Sequence, residues 1–217
     1  MQSIINKSLN DTMFYQDIAV LKYNIEYPAF RSDCSQKAVE TINQFYAFLA
    51  KSKENYCKLV LYPQAVEAAR YIPKNSFPFH YYEFDMSYTI TWNAGCITSL
   101  YMDQYTYMGG AHGSTVRTSD TWNFTTGRRI QLTDLYSHNI VIREKILVWI
   151  ENRISEMLKI SPATFFDDYT KRLQDTLNLN QFYLVPNGIV IYFQQYDIAP
   201  YVAGFPEFQL PYPDHIV

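Results

Sequence analysis

The sequence predicts an α+β fold, built as two helix-plus-antiparallel-sheet modules packed together. Three observations predict it. Apolar residues alternate with polar ones over residues 17–30 and 79–124, they recur at helical spacing over 36–60 and 139–159, and a Pro-Asn-Gly turn stands at 186–188. No Ser- or Gly-rich linker separates the halves. The expected division is residues 1–115 as a strand-helix-meander module and 116–217 as a helix-hairpin module.

Residues 17–30 place Ala19, Leu21, Tyr23, Ile25 and Tyr27 on one face and Lys22, Asn24 and Glu26 on the other, the period of a half-buried strand. Pro28 suggests that the strand stops there or lies at an edge. Asp33, three residues before Gln36, reads as a capping-box start. Val39, Ile42, Phe45, Tyr46 and Leu49 follow at helical spacing, and Pro63 should interrupt a helix that otherwise continues to Arg70. Period two returns with Tyr82, Phe84, Met86, Tyr88, Ile90 and Trp92. A turn at Asn93-Ala94-Gly95, a strand over 96–107, a glycine loop over 109–113 and a third strand to Phe124 complete a meander. Thr126-Gly127 turns towards Ile130 and Leu132, and Thr133-Asp134 ends the region. Ile142, Ile146, Trp149, Ile150, Ile154 and Leu158 predict a helix over 139–159. A shorter one follows around 165–177, opened by Ser161 or Pro162. A hairpin over 182–193 and a last strand over 206–210 close the chain.

The chain has 217 residues, a net charge of −3 and 48% hydrophobic residues, enough for a sizeable core and unlike a disordered chain. The mildly acidic balance gives no footprint for nucleic acid, which needs clustered Lys and Arg. No apolar run reaches membrane-spanning length. Residues 1–10 lack the basic start and apolar stretch of a secretory signal, so the chain as written reads as cytoplasmic. A trimmed exported protein would read the same. Cys34, Cys57 and Cys96 form no C-x-x-C pair, and Cys34 and Cys57 stand too far apart on one helix to bridge. They read as buried, unreactive thiols suited to a reducing compartment.

Chemistry-bearing patterns are few. Gly109-Gly110-Ala111-His112-Gly113 is the one dense glycine cluster; it matches neither a dinucleotide fingerprint nor a phosphate loop. It reads first as a tight loop with positive φ, and alongside that as an amide-exposing loop where His112 could meet a ligand. Ser114, Asp103 and Asp120 near His112 are the ingredients of a hydrolytic triad, without the elbow that would present the serine. His80, His112, His138 and His215 are scattered, so neither a metal nor another cofactor is expected. Glu83/Asp85 and Asp167/Asp168 read as solvated carboxylates. Twenty tyrosines are the unusual feature, and Tyr196, Pro200 and Tyr201 lie in a tail stretch too irregular for strand filler. Exposed, such rings offer rigid amphipathic contact area for a protein or a sugar.

Two stretches carry a resemblance. Gly109-Gly110-Ala111-His112-Gly113 with Leu132-Thr133-Asp134-Leu135-Tyr136, and Tyr196-Asp197-Ile198-Ala199-Pro200-Tyr201 followed by Gly204 and Pro211, resemble the signatures of the RsiV/PdaC-like family. That family includes the outer part of a lysozyme-sensing anti-sigma factor and the non-catalytic region of a peptidoglycan deacetylase. The resemblance covers about residues 14–211. It implies a binding or sensing module rather than an enzyme, with a lysozyme-like protein or a cell-wall glycan as partner. It singles out Gly109, Gly110, His112, Gly113, Tyr196, Pro200 and Tyr201 as contact residues. A hydrolase using His112 is the weaker alternative.

Overall fold

The structure is a computed structural model that describes residues 1–71, 79–136, 141–161 and 164–213. The expected helix start at Asn139, the Pro162 opening, His138 and His215 lie outside the described residues. The chain forms β1 (Ser3–Tyr15), β2 (Ile18–Arg31), α1 (Gln36–Tyr56), a π-helical turn (Cys57–Leu61) and α2 (Tyr62–Arg70). Then come β3 (Tyr82–Ala94), β4 (Ile97–Tyr107), β5 (Ser114–Asn123), β6 (Arg128–Arg129), α3 (Leu132–Leu135) and α4 (Ile142–Ile160). The chain closes with α5 (Tyr169–Thr176), β7 (Phe182–Val185), β8 (Gly188–Tyr192) and β9 (Glu207–Leu210). Strands β1 to β6 make one sheet in sequential order, and β7, β8 and β9 make a second. This is an α+β architecture, as the sequence predicts.

The chain divides into two units. One contains Met1–Thr89, Met102–Arg117 and Phe124–Gly127; the other contains Ile90–Tyr101, Thr118–Asn123 and Arg128–Val217. Strands β3, β4 and β5 therefore contribute residues to both.

In the first unit, β1 and β2 pair antiparallel along nearly their whole length, with an irregularity at Met13/Phe14. The sequence reading missed β1 because an edge strand exposed on both faces carries little alternation. The pairing of β2 with β3 is parallel, Leu21 opposite Tyr82 through Ile25 opposite Met86, which corrects the expectation of antiparallel pairing throughout. Strand β2 also continues past Pro28 to Arg31. That proline lies beyond the parallel ladder, where a missing N–H on the β3 side is harmless. Asn43 from α1 takes over there: the Phe30 amide donates to its Oδ1 at 2.8 Å, and its Nδ2 donates to the Phe30 carbonyl at 3.0 Å.

Helix α1 starts two residues later than expected. Its N-cap is Ser35, whose hydroxyl accepts from the Ala38 amide, and not Asp33. Pro63 does not break the rod; it follows the π-helical turn, so the run continues into α2. Val39, Ile42, Tyr46, Ala50, Cys57, Leu61 and Ala65 are buried, as are Leu21, Tyr23, Ile25, Phe30, Phe84 and Phe124. Phe30 packs edge-on against Phe124 with ring centres 5.2 Å apart. One carboxylate enters this layer. Glu54, 8% exposed, accepts from the Tyr23 hydroxyl at 3.2 Å and from Lys58 at 2.7 Å, and it pairs with Lys51.

In the second unit, Ile142, Ile146, Ile150 and Ile154 line the inner face of α4 and share a core with Leu184, Ile189, Ile191 and Phe208 of the small sheet. The other face of that sheet, Tyr183, Val190 and Tyr192, packs with Tyr101 of β4. Polar groups fix this layer. The Leu184 amide donates to Ser99 Oγ at 2.9 Å, Ser99 Oγ shares a 2.8 Å bond with Thr121 Oγ1, and the Tyr192 hydroxyl donates to Ser119 Oγ at 3.1 Å. The β7–β8 hairpin turns at the expected place, and a side chain at Gly188 would meet the Leu210 carbonyl at 2.1 Å. The β3–β4 turn falls on Gly95-Cys96, both with positive φ, one residue later than expected. Thr133-Asp134 does not end the region: Asp134 closes a capping box with Gln131 on α3. Helix α5 is shorter than the expected 165–177 span.

The cysteines correct a further expectation. Cys34 and Cys96 are disulfide-bonded, and only Cys57 is a free, buried thiol, which burial pushes up to about 12.

Glu54 sets an acid dependence. Lys51 first, and Lys58 beside it, hold its carboxyl at about 2 against an ordinary 4.5. A carboxyl lowered in the fold adds stability that is complete above about pH 4.5 and is lost as pH falls towards about 2. Glu54→Gln should cost about 1 kcal/mol at pH 7, a modest figure because the lysines stay open to screening water. The gap between variant and parent in chemical melts should close as pH falls from 5 to 2; a constant gap would refute the assignment.

Candidate functional site

The residues singled out by sequence fall on two loops. The first unit holds the glycine loop between β4 and β5, and the second holds the tyrosine loop between β8 and β9.

In the glycine loop, Gly109 and Gly110 take φ of 90° and 97°, so the first expectation, a turn needing the left-handed region, holds at both. The Tyr107 hydroxyl donates back to the Gly110 carbonyl at 3.0 Å and closes the loop on itself. Gly113 serves differently. It is buried, and a Cβ there would meet the Tyr105 ring at 2.4 Å, so close packing and not φ demands the glycine. His112 is exposed, with Nδ1 2.8 Å from the Gly113 carbonyl. A carbonyl oxygen only accepts, so Nδ1 is the donor in that contact.

The carboxylates that sequence offered to His112 are engaged by arginines. Asp103 accepts two bonds of 2.7 Å from Arg117, a bidentate pair across β4 and β5, and Asp120 pairs with Arg129 at 2.8 Å. A carboxylate held this way is poorly placed to orient an imidazole. Among the described residues, no group of three or more His, Cys, Asp or Glu could hold a metal ion.

The tyrosine loop is anchored from within. Ile198 and Ala199 are buried in the core of the second unit, the Ile198 carbonyl accepts from the Phe166 amide at 3.1 Å, and Asp197 Oδ2 accepts from the Gln194 amide at 2.8 Å. Burial pushes the Asp197 carboxyl above its ordinary value. On either side of this plug the chain turns outward. Tyr196 adopts φ 68° and is 51% exposed, and its ring centre lies 5.8 Å from that of Tyr201 with 31° between planes. Pro200, half-buried, precedes a single 3₁₀ turn over Tyr201–Ala203. Val202 on that turn is 92% exposed. Sequence reasoning missed Val202, whose signal was an apolar residue between Tyr201 and Gly204 in a stretch without any period.

Comparison with known proteins places both loops in recognised segments. Residues 15–115, which include the glycine loop, match the family model described as deacetylase PdaC. Residues 133–213, which include the tyrosine loop, match that of a protein of unknown function, DUF3298. A DUF3298-family crystal structure from Bacteroides fragilis aligns over 97% of this chain and 90% of its own, at 19% identity and a TM-score of 0.71. Another from Pseudomonas aeruginosa aligns over 97% and 90%, at 12% identity and a TM-score of 0.53. At such identities the likeness concerns the fold. No curated protein matches the chain.

The loop geometry separates two kinds of glycine. Gly113→Ala forces the Tyr105 ring and the Thr106 carbonyl to shift and should lower stability by about 1–3 kcal/mol. Gly110→Ala meets no atom within 4 Å and should cost only about 1 kcal/mol of backbone strain. Thermal melts of the two variants check the ranking, and a reversed order would show that φ, not packing, governs the loop. Together the two matches give the chain a PdaC-type segment at 15–115 preceding a DUF3298 domain at 133–213, and a PdaC-like family of unknown function fits both.

Proposed function

We propose that the protein is a non-enzymatic binding or sensing module that docks a protein partner, a cell-wall-active protein such as lysozyme, through the tyrosine loop. One observation carries the reading. Tyr196, Tyr201 and Val202 present an apolar, ring-bearing surface on a loop whose own base, Ile198 and Ala199, is locked into the core. Rigid aromatic anchors of this type lose little conformational freedom on binding and dominate protein interfaces. Pro200 stiffens the approach to Tyr201. The glycine loop, with His112 exposed, is a second contact surface in the other unit.

Glycan binding by the same loop is the second reading, favoured by the exposed Tyr196 ring. Tyr196 is exposed and Tyr201 half-buried, so the loop offers a sugar one open ring. The disulfide-bonded state of Cys34 and Cys96 supports an oxidising, extracytoplasmic setting, against the reducing compartment that the thiol count suggests.

Calorimetric titration with lysozyme tests the docking. Tyr201→Ala and Tyr196→Ala should each weaken binding about tenfold or more, some 1.4 kcal/mol, without changing the melting temperature. The absence of heat at high micromolar concentration would remove that partner, and retention by insoluble cell wall would favour the glycan reading. The compartment is checked separately. Alkylation of the unfolded, unreduced protein followed by mass measurement should tag Cys57 alone; three tagged thiols would contradict the oxidised state.

A further inference from the structure

The first unit carries a groove that neither loop explains. It is a cavity of about 470 Å³ lined by residues of β1, β2 and β3: Asn10, Thr12, Lys22, Asn24, Glu83 and Asp85, together with Asp11 and Tyr23. The strand registers arrange these side chains. Asn10 is opposite Asn24 and Asn24 opposite Asp85; Thr12 is opposite Lys22 and Lys22 opposite Glu83. Alternation puts all six on the face away from Tyr23 and Phe84, which are buried against the helix. The result is a grid of two rows and three columns, with about 4.8 Å between strands and roughly 6.7 Å between rows.

The two rows differ in their bonding. In one, Lys22 and Glu83 carry opposite charges on neighbouring strands, and the Lys22 ammonium sits 4.1 Å above the Tyr81 ring. In the other, the side chains of Asn10, Asn24 and Asp85 have no hydrogen-bond or ion-pair partner among the described residues. Burial, and then the like charge of Glu83, push the Asp85 carboxyl above its ordinary value. Two amides, each able to turn its carbonyl oxygen outward, and one exposed carboxylate thus stand side by side across three strands.

We propose that this groove binds a protonated primary amine carried on a hydroxyl-rich body, the chemistry of an amino sugar. An ammonium brings three donors and one positive charge. Asn10 Oδ1, Asn24 Oδ1 and a carboxylate oxygen of Asp85 can supply three acceptors and one negative charge. The body of the ligand follows from the rest of the lining. Every side chain in the grid is polar, so an aliphatic stem such as that of lysine gains no apolar contact. Hydroxyls, by contrast, can exchange bonds with Thr12, Lys22 and Glu83.

The whole chain is titrated with three probes by NMR chemical-shift mapping: a glucosamine tetramer, the N-acetylglucosamine tetramer and tetralysine. The glucosamine tetramer should bind, shifting amides of residues 10–12, 22–24 and 83–85, and the other two should bind at least about tenfold more weakly. Asp85→Asn, and independently Asn24→Ala, should each weaken the glucosamine tetramer about tenfold, while Tyr201→Ala leaves it unchanged. Equal binding of the acetylated tetramer overturns the ammonium, and equal binding of tetralysine overturns the hydroxyl-rich body. Loss on Tyr201→Ala, or no shift at all, overturns the site. Lysozyme titration of the same variants keeps this outcome separate from that of the tyrosine loop.

Discussion

Two parallel strands cannot be joined by a tight turn, and this constraint organises the first unit. Strands β2 and β3 run parallel over Leu21–Ile25, so the chain must leave one end of the sheet and return to the other. The segment that does so is α1, the π-helical turn and α2, and it buries the inward faces of both strands on the way. A single carboxylate, Glu54, is admitted to that interface because the Tyr23 hydroxyl and two lysines satisfy it. The outward faces of the same strands are left polar, and the groove lined by Asn24 and Asp85 follows from the register that the crossover sets.

The second unit solves a different problem. Its small sheet has two apolar faces, so it needs two covers. Helix α4 provides one with four isoleucines at regular spacing, and β4 with β5 provides the other. Where sheet packs on sheet, Ser99, Ser119 and Thr121 answer buried backbone and phenol groups with hydroxyls. Hydroxyls are small enough to bond without opening the aromatic layer. The tyrosine loop is rooted in this same core, which is why its outward side chains are held and not merely tethered.

Much of this was legible in the sequence, and the failures have physical causes. Helix α4 and the β7–β8 hairpin were readable because their signals are local: isoleucines at 142, 146, 150 and 154, and a turn built on Pro186, Asn187 and Gly188. Strand β1 was not, because residues such as Lys7, Ser8 and Asn10 face water on an edge and carry no alternation. The parallel register of β2 and β3 depends on residues some sixty positions apart, which no window over the sequence connects. The same holds for the sites. Gly109 and Gly110 announce positive φ by their identity, whereas the left-handed backbone at Tyr196 does not. Asn10, Asn24 and Asp85 become neighbours only once three strands are in register.

The π-helical turn has a consequence for the whole crossover. Buried positions in α1 recur at 42, 46, 50 and 54, and each four-residue step overshoots a full helical rotation by about 40°. Left uncorrected, that drift would carry the contact stripe around the rod and away from the strands. A turn with wider hydrogen-bond spacing takes up residues without the usual rotation and so resets the phase, which lets Leu61 and Ala65 come back underneath. The interruption works as a vernier, keeping the buried stripe of a long helical run in phase with the strands beneath it.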